Sequence, residues 1–215
     1  MEKTIQTRRL TLRKFSAEDA KPLFPFFADD KTNTFLPWFP ARTVAGARAL
    51  VRRFIEEDAG GIAVHRAICL AGEPIGYIHA DCGESHDLGY ALRRDLWGRG
   101  FPTEAGQAFL DALKRVGFPF VTATHDINNP ASGAVMKKLG FSYRYSYREQ
   151  WQPKDISVVF RMYQLDFGGS AETYRGYWDK YPEHCEEKST DNPAQKSGKR
   201  SGRRLLPPPA LQCMQ

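Results

Sequence analysis

No run of about 18 uncharged apolar residues occurs in the 215-residue chain, so no segment has the length and hydrophobicity of a membrane-spanning helix. The opening MEKTIQTRRLTLRKF interleaves charges with apolar residues and carries no apolar signal core. A non-exported, cytoplasmic protein with no membrane partner is the expectation. Cysteine is scarce: Cys69, Cys82, Cys185 and Cys213 form no CxxC pair and keep no regular spacing, which speaks against a zinc ribbon or a disulfide framework. His79 with Cys82, and His184 beside Cys185, read as ordinary strand and surface residues, because a metal site needs three or four convergent ligands. No metal is expected, and no internal repeat is visible.

The body also lacks a strong net charge. Of the formal +6, the stretch from Lys188 onward holds +5, with Lys188, Lys196, Lys199, Arg200, Arg203 and Arg204 set against Asp191. Residues 1–187 therefore carry about +1, and the basic balance belongs to a tail. That tail has the composition of disorder; weak RNA or ribosome contact is its possible use. With 41% hydrophobic residues the remainder can fill one core.

Periodicity orders that core. IQTRRLTLRKF (residues 5–15) alternates as a first strand, Ser16 with Asp19 caps a helix that Pro22 and Pro25 should shorten or break, and Thr43 precedes a second helix. AVHRAICL and IGYIHA stand at hairpin distance around Ala71–Pro74, and DLGYALRR continues as a further strand. An amphipathic helix then runs from Thr103, a strand covers residues 118–124, and Asn129-Pro130 opens another helix as cap and first helical residue. Two alternating strands, 143–151 and 156–165, close the pattern. The fold class is α+β, a mixed sheet with helices on its faces. Residues 168–187 read as an appendage whose Tyr174, Tyr177, Trp178 and Tyr181 dock on the body.

Between the strand ending near Arg93 and the helix lies WGRGFPTEAG (residues 97–106). Glycines ahead of a helix start can gather backbone N–H groups around phosphate, where aligned peptide dipoles favour anions. The dinucleotide-binding pattern, GxGxxG with an acid about twenty residues on, is absent. The pieces TRRLTLRKFSAEDA, EPIGYI, DLGYALRRDLWGRGFPTEA and NNPASGAVMKKLGF together resemble the GNAT acetyltransferases, in the branch that acetylates ribosomal-protein N-termini. They come in that family's order and spacing, and the resemblance covers about residues 5–166.

The resemblance implies a mostly antiparallel twisted sheet with helices on both faces over residues 1–167. It also implies acetyl-CoA as cosubstrate, a primary amine as acceptor, and direct attack in a ternary complex. Backbone N–H groups of Gly98, Arg99, Gly100, Phe101, Thr103 and Glu104 would take the pyrophosphate, with an Arg99 charge beside them; Trp97 reads as packing. An N–H at Leu92 or Arg93 would polarise the thioester carbonyl. Asn129 and Ser132 would face the pantetheine arm where two strands splay apart, while also serving as helix cap and first-turn residue.

Since an alkyl amine with pKa near 10 is about 0.1% neutral at pH 7, a base is useful. Asp87 stands where the family branch tends to carry glutamate and is the first choice; Glu84, His86 and His79 are neighbours that could act through water. Where many family members carry a tyrosine acid this chain has Met136, so Ser132, Tyr90 or Tyr143 would protonate the thiolate, or it would leave unassisted. The loop around Leu36, Trp38 and Phe39 would wall the acceptor side. Pro102 removes a donor from the phosphate cradle at what reads as the first helical position. With Met136, it motivates a second reading, a CoA-binding or partner-binding protein without turnover. Monomer and homodimer both remain open.

Overall fold

The computed structural model describes residues 2–169 and 171–187, so the basic tail 188–215 lies outside the described residues. The first predicted strand divides in two. β1 (Thr4–Gln6) and β2 (Leu10–Arg13) pair across a turn in which Thr7 Oγ1 accepts from Leu10 N–H at 2.8 Å. β2 then pairs with β3 (Ala63–Leu70), β3 with β4 (Glu73–Asp81) and β4 with β5 (Leu88–Leu92), antiparallel throughout. A second sheet follows the order β6 (Phe120–Asp126), β8 (Ile156–Asp166), β7 (Ser142–Trp151), β9 (His184–Cys185), again antiparallel. The two sheets meet at one parallel bridge, Asp87 with Thr122. The expected mixed, mostly antiparallel sheet is thus built from two antiparallel sheets that meet in parallel where β5 and β6 begin.

Helices cover both faces. α1 (Ala20–Ala28), α2 (Asp30–Asn33) and α3 (Val44–Ala59) lie on one side, where Leu23, Phe26, Phe27, Val51 and Phe54 pack on Ala67 and Tyr77. α1 is short, nine residues, and runs unbroken with Pro25 inside it, so of the two outcomes expected from its prolines the helix is short and not broken. α4 (Phe101–Arg115) and α5 (Pro130–Lys138) pack on the other side, with Phe109, Leu113 and Leu139 against Ile68, Ile78, Leu88 and Val121. Each such side chain contributes roughly 1.5–3 kcal/mol when fully buried. A third cluster, Tyr145, Tyr147, Phe160 and Met162, is covered by α6 (Gly176–Lys180) and its flanks through Tyr177, Trp178 and Tyr181. Among the described residues no helix is long and apolar enough to cross a membrane.

Candidate active site

The β4–β5 ladder decides which β5 backbone groups are free. Asp81 N–H donates to Asp87 O at 3.0 Å and Arg93 N–H to Ile75 O at 2.9 Å, so the odd-numbered residues from 87 to 93 turn their backbone groups to β4. Alternation along the strand points those of Tyr90 and Leu92 the other way, to the edge from which β6 diverges. Arg93 is therefore removed from the pair expected to polarise a carbonyl. Its guanidinium is also engaged, with Glu73 at 2.9 Å and Asp95 at 2.8 Å. Leu92 remains, and Tyr90, whose N–H was not singled out in the sequence, joins it. Trp97 is 49% exposed and not packed in the core; its indole Nε1–H donates to Leu92 O at 2.8 Å.

Beyond Trp97, Gly98 (φ 74°) and Gly100 (φ 77°) are left-handed, a conformation glycine adopts without a Cβ clash. Gly100 is the N-cap, which makes Phe101 the first helical residue, Pro102 the second and Thr103 the third. The first-turn N–H groups of a helix have no intrahelical acceptor, so Pro102 breaks no helical bond and subtracts one outward donor. Glu104 does not extend this row: its N–H donates to Gly100 O at 3.1 Å as the first helical bond. Its carboxylate accepts instead from Thr7 Oγ1 (2.7 Å), Arg9 N–H (2.8 Å) and Arg9 Nε (2.7 Å). Burial alone would raise the Glu104 carboxyl, but Thr7 and Arg9 bring it below its ordinary value.

Arg9 is the residue the sequence reading missed. Its guanidinium lies over the Phe101 ring at 4.3 Å, and a Cβ built at Gly100 would stand 3.7 Å from its Nη2. Glu104 is 95 residues away in the chain, so no local pattern signals the pair. Arg99 is exposed. Restoring the missing donor by Pro102→Ala is expected to tighten CoA binding about tenfold or more. A hydrogen bond to a charged group is worth about 1.5–3 kcal/mol of binding, whereas the roughly 0.4–1 kcal/mol that proline gains through the unfolded chain adds to stability and leaves the affinity untouched. Isothermal titration with CoA checks this; an unchanged or weaker Kd means that the position points away from phosphate.

On the face of β5 turned toward α1 and α3 lie Asp87, Gly89 and Ala91, with Tyr77 and His79 opposite Ala91 and Gly89 on β4. Asp87 is half-buried, and desolvation by the packed groups around its carboxyl pushes it up to about 7; Thr122, whose hydroxyl is 3.4 Å from Oδ1, pulls the other way, and Asp81 adds to the rise. Thr122 makes its better bond to Ser85 O at 2.8 Å. The His79 ring lies across Gly89, where a Cβ would stand 2.2 Å from its Nε2, and stacks on His65 at 5.1 Å. Burial pulls His79 down to about 3 and His65 to about 4, so both are neutral imidazoles at pH 7. His86 packs on Phe118 and Phe120, away from this face, and Glu84 is exposed on the turn.

Leu36 and Trp38 sit in the helical cluster over the same face, while Phe39 is 61% exposed. The β7–β8 hairpin reaches this loop: Lys154 Nζ donates to Asn33 O and to Thr34 O, the latter at 2.8 Å. On the opposite side of β5, Asn129 caps α5, its side chain accepting from Ser132 N–H at 3.3 Å. Tyr90 OH donates to Ser132 O at 3.0 Å and lies 3.1 Å from Ser132 Oγ. Burial raises this phenol to about 12. Met136 is buried core. Tyr143 is occupied in the β7–β9 seam, with Ser146 Oγ at 3.0 Å and Glu187 N–H at 3.1 Å, which leaves Ser132 and Tyr90 of the three acids considered. Among the described residues no three His, Cys, Asp or Glu side chains gather as metal ligands.

Residues 9–142 match the family model described as "Acetyltransferase (GNAT) domain". The chain is similar to an uncharacterized N-acetyltransferase, p20, of Bacillus licheniformis, 27% identical over 170 residues that cover 75% of this chain and 95% of that one. Among solved structures it resembles RimL, a ribosomal alpha-N-protein acetyltransferase in complex with coenzyme A, at TM-score 0.70 and 19% identity, covering 78% of this chain and 99% of that one. A microcin self-immunity acetyltransferase in complex with acetyl-CoA and AMP follows at TM-score 0.67 and 16% identity, covering 74% and 93%.

Proposed function

From the premise that the chain belongs to the GNAT acetyltransferase family, we propose that it transfers the acetyl group of acetyl-CoA to a primary amine by direct attack. The observation that carries this reading is the outward pair of β5 groups, Tyr90 and Leu92, on a gap that closes at Asp87–Thr122 and opens toward the glycine loop. Pyrophosphate is held by N–H groups of Gly98, Arg99, Gly100, Phe101 and Thr103, with Arg9 supplying positive charge beside them. Pantetheine lies in the gap, between the β5 edge and the start of α5 at Asn129 and Ser132.

Strand geometry then separates the two carbonyl donors. At about 3.3 Å per residue, Leu92 lies roughly 16 Å from Asp87 and Tyr90 roughly 10 Å. Tyr90 N–H is the donor that leaves an amine within reach of Asp87, through one bound water. Preorganised backbone donors of this kind stabilise the oxyanion as it forms. The amine nitrogen bonds to the thioester carbon, its proton passes to Asp87, and the C–S bond breaks. The Ser132 hydroxyl, with Tyr90 OH beside it, donates its proton to the departing sulfur and regains one from solvent as Asp87 releases the proton taken from the amine; a thiolate whose thiol has a pKa near 8.5 leaves with little such help.

The acceptor is a peptide N-terminus, as the likeness to RimL favours, or a small amine. Thiol release from acetyl-CoA across a panel of peptides and small amines, with mass detection of the acetylated product, tests the reading. Turnover with a member of the panel is expected. Tight CoA binding with no turnover would favour the second reading, a CoA-binding protein; no CoA binding at millimolar concentration would defeat both.

A further inference from the structure

Residues 171–187 lie beyond the family-matched region 9–142, yet they are bound to the body by specific contacts. Gln164, buried within β8, donates to Glu172 O at 3.1 Å and accepts from Tyr174 N–H at 2.9 Å. Tyr145 OH donates to Tyr174 O at 2.8 Å. β9 pairs with β7 through Ser146 with Cys185 and Tyr147 with His184. Tyr147 stacks against Tyr177 at 5.1 Å and Tyr181 at 5.0 Å, while Tyr174 tilts onto Phe120 at 6.4 Å.

β9 extends the edge of the second sheet, and the other contacts cover one of its faces. That face carries Thr122, opposite Gln164 in the β6–β8 register, and Thr122 bridges to Asp87. On that face Tyr177 stacks on Tyr147 and meets Tyr174 edge-on at 5.3 Å, and burial together with the Asp87 charge drives its phenol far above its ordinary value. We propose that residues 171–187 are a built-in wall of the acceptor site, in which Tyr177 closes the space over Asp87, keeps bulk water from its carboxyl and bounds the room left for the amine. The inference rests on Asp87 as the proton acceptor of the proposed reaction.

The groups around Asp87 single it out as the one that changes charge near neutrality. Thr122 of β6 touches it, and Asp81 and Tyr77 of β4, Tyr147 of β7, and Tyr174 and Tyr177 of the C-terminal segment share its electrostatic field. Every phenol in that set is raised, and Asp81 is the nearby acid. Arg53 of α3 acts on Tyr77 and on His79, itself already neutral.

Tyr177→Ala should admit water and let the Asp87 midpoint, followed by carbon-13 NMR, fall by at least about one pH unit as desolvation is relieved. The acid limb of kcat/KM should move down with it. Tyr177→Phe keeps the ring over the carboxyl and should leave both where they are. Undocking of the segment in Tyr177→Ala would expose Asp87 as well, so the same fall is expected. An Asp87 midpoint unmoved in Tyr177→Ala overturns the proposal. If the midpoint falls while the rate limb stays, the wall stands and Asp87 is not the proton acceptor.

Discussion

Asp87→Asn is expected to lower kcat by about 10²- to 10⁴-fold, the usual contribution of a positioned base, with KM for acetyl-CoA little changed. Asparagine keeps the size and hydrogen-bonding reach of the side chain but cannot hold the amine's proton. The same substitution should make the protein more stable at neutral pH. In the folded chain burial raises the carboxyl from 3.8 to about 7, so the folded state holds a proton that the unfolded state has already released. Its stability therefore falls as pH rises from about 4 through about 7, by as much as roughly 4 kcal/mol from this group. Asparagine removes that loss: Asp87→Asn should melt higher than wild type at pH 8 and alike at pH 4. A kcat within about threefold of wild type excludes Asp87 as the base, and equal melting at pH 8 shows that its carboxyl is not held up by burial.

The second large effect is structural. A Cβ at Gly76 would stand 2.1 Å from Ala91 O and 2.8 Å from Leu92 Cα. Both are β5 backbone atoms, so no rotamer change relieves the clash and the strand itself must move. Gly76→Ala should cost at least about 3 kcal/mol, the upper range for overpacking a core. Because β5 carries Tyr90 and Leu92 and follows directly on Asp87, the surviving folded fraction should also lose CoA affinity. Chemical denaturation and CoA titration of the variant check both parts; a stability within about 1 kcal/mol of wild type would mean that β4 and β5 are spaced more widely than described.

Much of the architecture was legible because period and punctuation agree. Thr43 accepts from Gly46 N–H at the start of α3, and Asn129-Pro130 opens α5; both are short-range signals that a sequence carries whole. The site divides differently. The glycine loop and the Asp87 strand can be seen as letters, but the assignment of donors depends on which way a ladder faces. That direction is fixed by Arg93 N–H bonding Ile75 O, a pairing between strands that alternation alone does not reveal. Glu104 looked like part of the phosphate cradle because it lies in the helix's first turn. Its use was decided by Thr7 and Arg9, which reach it only after β2 has packed beside α4. Tyr177 was legible as an aromatic that docks, though not in its proposed place beside Asp87, because the link between the two runs through Thr122 of another strand.

Amide hydrogen exchange with and without CoA tests the central claim most directly. The backbone groups of Tyr90 and Leu92 face an open edge, and those of Phe101 and Thr103 face out of a helix start; Ala91 and Arg93 are already paired with β4. Binding should slow exchange at Tyr90, Leu92, Phe101 and Thr103 while leaving Ala91 and Arg93 unchanged. Protection at other sites with these four unaffected would place the cosubstrate elsewhere and contradict the account.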